Sequence, residues 1–97
     1  MQVNWSKTAY RQFTEILDFI VENGYDRYAE TLQETVIEKT DNLTENYLSY
    51  PADKYKKHND GSYRAFEIDE YRISYRVTEQ SIRIIRIRHT SRRVLNY

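Results

Sequence analysis

Apolar and polar positions alternate, recur every three or four residues, or lose all rhythm in distinct stretches of the chain. Val3 and Trp5 flank Asn4, which predicts a short opening strand. Ser6 follows as a helix N-cap, because its hydroxyl can accept from backbone N–H groups two or three residues on. Ala9, Phe13, Ile16, Leu17 and Ile20 then recur at helical spacing, so a helix over about Lys7 to Asn23 carries one apolar stripe. Gly24 can take the left-handed conformation that ends it. A second stripe, Ala29, Leu32, Val36 and Leu43 with Ile37 beside it, predicts a second helix capped by Asp26. Glu30, Glu34 and Glu38 line its other side as a solvated ridge, and the pair forms a helical hairpin.

Periodicity vanishes from Asn46 to Asn59, which reads as a surface connection whose tyrosines fold back onto the domain. Asn59-Asp60-Gly61 marks a turn. Tyr63 to Ile68 is a strand, Asp69-Glu70 a tight turn, and Tyr71, Ile73, Tyr75 and Val77 alternate cleanly with Arg72, Ser74 and Arg76. In the last strand, Ser81 to Arg88, the parity breaks: Ile82 and Ile84 take one face, Ile85 and Ile87 the other. Either a bulge or cover on both faces would accommodate that. The order strand, helix, helix, strand, strand, strand predicts an α+β domain, with the hairpin packed on a mostly antiparallel sheet and residues 1–97 forming one unit.

Composition narrows the class. A hydrophobic share of 39% and a charged share of 31% suit a globular chain. No apolar run approaches the roughly 20 residues of a membrane span, and no signal peptide opens the chain. The expected location is the cytoplasm, with no membrane contact. Without cysteine there is neither a disulfide nor a thiolate metal site, and the two histidines are too far apart for a metal-ligand motif, so no metal and no cofactor are expected. The neutral total hides a division. Residues 1–49 hold four basic against nine acidic side chains, and residues 50–97 hold eleven against six. A basic face from the second half is available to phosphates or to an acidic protein.

Three segments in order resemble the RelE/ParE toxin superfamily. They are Val3-Asn4-Trp5-Ser6-Lys7-Thr8-Ala9, then Tyr71-Arg72-Ile73-Ser74-Tyr75-Arg76-Val77, then the run from Ile84 through His89 to Arg92 and Arg93. The resemblance implies the toxin of a type II toxin–antitoxin pair, neutralised by a cognate antitoxin. RelE-like members cleave mRNA on the ribosome without a metal; ParE-like members inhibit DNA gyrase. A chain that keeps only antitoxin binding is a third possibility.

The leading expectation is the ribosome-dependent mRNA endonuclease. Attack by a 2′-hydroxyl needs a proton acceptor, cations for the phosphorus-bound charge and a proton for the leaving oxygen. Through the resemblance, Arg72 and Arg92 match active-site arginines, Arg64 stands where such enzymes carry a lysine, and Tyr97 matches a tyrosine that stacks on a base or orients the hydroxyl. His89 titrates near neutrality and can pass protons. The plainer readings are a solvated strand face for Arg72, a structural histidine for His89, a disordered terminal residue for Tyr97 and loop solvation for His58. Phe66 departs from the nuclease pattern where a second basic residue is expected, and the chain as read stops at Tyr97 before any further helix. Carboxylates of the antitoxin are expected to mask Arg72, Arg76, Arg92 and Arg93.

Overall fold

The structure, a computed structural model, describes residues 1–92 and 96–97; Arg93 lies outside them. Strand β1 (Gln2–Trp5) leads into α1 (Lys7–Glu22), α2 (Asp26–Asp41) and a short turn of helix, α3 (Leu43–Asn46). Strands β2 (Tyr63–Ile68), β3 (Tyr71–Val77) and β4 (Ser81–His89) complete an α+β fold. The sheet order is β1-β4-β3-β2, with β1 parallel to β4 and the other two pairings antiparallel.

Local chemistry sets these boundaries. Ser6 caps α1, its hydroxyl accepting from the Ala9 N–H at 3.0 Å. Gly24, at φ 86°, turns the chain between the helices. Asp26 does not cap α2: the helix begins at Asp26 itself, Tyr25 holds the cap position, and no side-chain bond closes it. The carboxylate sits instead in the first turn, where it faces the positive end of the helix dipole. The second stripe is divided, because α2 stops at Asp41 and Leu43 belongs to the next turn. Thr40 enters the buried face by donating its hydroxyl to the Val36 carbonyl, 2.9 Å away.

The two faces of the sheet differ completely. Ile73, Tyr75, Ile82, Ile84 and Ile87 point at the helices and join Ala9, Phe13, Leu32, Val36 and Leu43 in one core. The broken parity of β4 is a bulge: Ser74 pairs Arg86, but Tyr75 pairs Ile84, leaving Ile85 unpaired. The start of α1 holds that bulge. The Ser6 N–H donates to the Ile84 carbonyl at 2.9 Å, the Ser6 hydroxyl donates to that of Ile85, and Gln12 Oε1 accepts from the Ile87 N–H. One inserted residue thus keeps Ile82, Ile84 and Ile87 on the core side and brings Arg83, Arg86 and Arg88 together on the other.

Candidate functional site

Among the described residues, that other face carries no helix. Its rows, read from the register, are Glu67, Arg72 and Arg88; then Ala65, Ser74 and Arg86; then Tyr63, Arg76 and Arg83. The aperiodic stretch before β2 folds along its edge. Ala52 bridges Arg64, the Asp53 N–H donates to the Tyr63 carbonyl at 2.8 Å, and the Asn59 side chain donates to the same carbonyl.

This edge places Asp53 with a side chain 0% exposed. Arg72 Nη2 lies 3.0 Å from Asp53 Oδ1, the Tyr55 N–H donates to that oxygen at 3.1 Å, and the Tyr97 hydroxyl donates to Oδ2 at 2.6 Å. Arg72 also reaches the exposed Glu67 at 3.2 Å. Burial alone would raise the Asp53 pKa, but the hydrogen bonds from Tyr97, the Tyr55 backbone and Arg72 outweigh it and hold the carboxyl below its ordinary range. Burial, helped by the neighbouring carboxylate, pushes the Tyr97 hydroxyl well above the ordinary tyrosine range.

Tyr97 is fixed by more than its hydroxyl. Its N–H donates to the Tyr55 carbonyl at 3.0 Å, and its own carbonyl accepts from the Lys57 N–H at 2.6 Å. The Arg86 guanidinium stacks 3.9 Å over its ring. Arg76 and Lys56 cover Tyr63 at 4.9 and 4.7 Å, and Arg72 covers Tyr55 at 5.0 Å. Burial lowers the Arg86 pKa, opposed by Tyr97 and Asp53 and aided by Arg88 and Arg72.

Of the five residues expected to form a nuclease site, two meet: Arg72 and Tyr97, through Asp53. Arg64 does not join them. It pairs Tyr75 and so lies on the helix side, where Nη1 donates to the Tyr50 carbonyl. His89 pairs Tyr71, also on the helix side, with Nε2 3.1 Å from Glu70 Oε2 and its ring edge-on to Tyr71. Arg92 is exposed beside the same tyrosine. Both line a groove of about 770 Å³ between α1 and the end of β4, whose floor and walls include Ile16, Phe19, Ile20, Tyr25 and Ile87. The expected convergence of Arg64, Arg72 and Arg92 is therefore absent, because strand alternation sends Arg64 and Arg72 to opposite faces.

Asp53, Arg86 and Lys56 are the residues that sequence reading missed. Asp53 sits in a stretch without period, and only its three-dimensional partners single it out. Arg86 was within reach, since it shares parity with Arg88, which pairs Arg72. For Arg64 too a signal existed: it shares parity with Phe66 and Ile68, both buried.

Among the described residues no cluster of histidines and carboxylates could hold a metal ion, and no helix is long and apolar enough to cross a membrane. No curated protein matches the sequence. Solved structures that share the fold include the following two. A chain of the chromosomal ParDE toxin–antitoxin system from P. aeruginosa aligns with a TM-score of 0.72 and 18% identity, over 94% of this chain and 97% of that one. The conserved hypothetical protein HP0894 from Helicobacter pylori aligns at 0.52, also with 18% identity, over 94% and 96%. The family described as the ParE toxin of the type II toxin–antitoxin system parDE matches residues 3–94, so the chain belongs to the ParE toxin family.

Proposed function

We propose that this toxin acts as a ParE-like inhibitor of DNA gyrase rather than as a ribosome-dependent mRNA endonuclease. The observation that carries this reading is the division of the nuclease candidates between the two faces of the sheet. On the open face, Arg72 is already matched by Asp53 and Glu67. Nor does that cluster supply a proton acceptor for neutral pH: Asp53 is held low, Tyr97 is held high, and His89 is on the other side. A stoichiometric inhibitor needs none of these functions, only a stable surface.

Purified toxin should inhibit supercoiling by gyrase and should leave ribosome-bound mRNA uncut in a primer-extension assay. Cuts in mRNA with gyrase unaffected would reverse the assignment. The family places a cognate antitoxin beside the toxin. The groove holding Phe19, Tyr25 and Ile87, with Arg11 and Arg92 also lining it, suits an amphipathic antitoxin segment bearing carboxylates. Co-purification with the product of the neighbouring gene checks that partnership.

A further inference from the structure

We infer that the open face of the sheet binds the phosphate backbone of duplex DNA, an interface that rests on the gyrase reading for the source of that DNA. Arg72, Arg76, Arg83, Arg86 and Arg88 occupy adjacent rows of the two central strands, with Lys56 beside them. The carboxylates shown to act there are Asp53, on both Arg72 and Arg86, Glu67, on Arg72, and Asp60, on Arg76. Two of the cross-strand pairs are like-charged: Arg72 lies opposite Arg88, and Arg76 opposite Arg83. Directly opposed like charges destabilise a sheet. Asp53 and Glu67 already offset the charge of Arg72, whereas an anion lying along the face relieves the exposed pair of Arg76 and Arg83.

The tyrosines decide which nucleic acid fits. Proteins that hold single strands offer bare aromatic faces on which unpaired bases stack. On this face the rings are already covered: Tyr55 by Arg72, Tyr63 by Arg76 and Lys56, Tyr97 by Arg86 and Lys56. The donors offered to phosphate oxygens are the exposed guanidinium groups of Arg76 and Arg83, since Arg72 already donates to Asp53 and Glu67. The surface thus presents donors without stacking platforms. That suits a duplex, whose bases are stacked internally and whose phosphates face outward.

The test is fluorescence anisotropy of a short labelled duplex with the purified toxin, gyrase being absent. Arg76 and Arg83 are exposed, so the double variant Arg76→Glu/Arg83→Glu keeps the buried Asp53 cluster. It should bind the duplex at least about tenfold more weakly, and its salt dependence should flatten by about 0.9 for each phosphate that the protein no longer neutralises. A control with the same change in net charge on the helical hairpin, Arg27→Glu/Lys39→Glu, should bind as the parent does. Equal losses in the two double variants, or tighter binding to a single strand than to the duplex, would overturn the proposal. So would displacement by polyglutamate as effective as by unlabelled duplex, which would assign the face to an acidic protein. Duplex binding with no inhibition of supercoiling would uphold the interface and defeat the gyrase reading alone.

Discussion

The two faces of one four-stranded sheet solve the problem of burial in opposite ways. On the helix side, isoleucines from β3 and β4 pack against α1 and α2, and stability follows from apolar area removed from water. On the open side no described helix offers such a surface. Order there depends on one buried carboxylate, a set of guanidinium–tyrosine stacks and two backbone hydrogen bonds that tie Tyr97 to residues 55–57. The helix face can spread its stability over many apolar neighbours, whereas the open face concentrates it in Asp53.

That contrast can be broken at Asp53. Asp53→Ala leaves the Arg72 guanidinium and the Tyr97 hydroxyl without their shared acceptor, and should destabilise by about 3–5 kcal/mol in urea unfolding. This matches or exceeds removal of a core side chain such as Ile73→Ala, expected at about 2–5 kcal/mol. If Asp53→Ala costs under half of Ile73→Ala, the open face is not organised by its carboxylate.

Truncating the partner is gentler. Tyr97→Phe deletes one hydrogen bond to a charged acceptor and should cost about 1.5–3 kcal/mol in the same assay. Proton linkage sharpens the point. Because the folded Asp53 carboxyl is held below its ordinary range, its contribution is complete above that range and is lost as pH falls through the lower folded value. The difference in melting temperature between the parent and Asp53→Asn should therefore be constant near neutrality and shrink only in strong acid. Shrinkage already at pH values above the ordinary carboxylate range would show that Asp53 is not held low. The smallest effect belongs to Arg72's second partner: Glu67 is exposed, and Glu67→Ala should change stability by about 0–1 kcal/mol.

Much of this architecture was legible in the residues. The stripe from Ala9 to Ile20 and the alternation from Tyr71 to Val77 located a helix and a central strand because one face of each is buried and the pattern records it. The broken parity at Ile84-Ile85 announced an irregularity, although only the pairing of Tyr75 with Ile84 shows that it is a bulge. The site was less accessible. Resemblance brought Arg64, Arg72 and Arg92 together in one expected cluster, whereas parity alone separates Arg64 from Arg72. Asp53 was invisible for a physical reason. An aspartate in an aperiodic loop is ordinarily solvated, and its burial depends on Arg72 and Tyr97, 19 and 44 residues away.

On the proposed reading the protein works by occupying its target and not by turning over RNA. Titrating purified toxin into gyrase supercoiling reactions at two enzyme concentrations tests this directly. An endpoint that moves in proportion to the gyrase present is the predicted result. Full supercoiling activity at a large excess of folded toxin, together with cleavage of ribosome-bound mRNA by substoichiometric toxin, would contradict it.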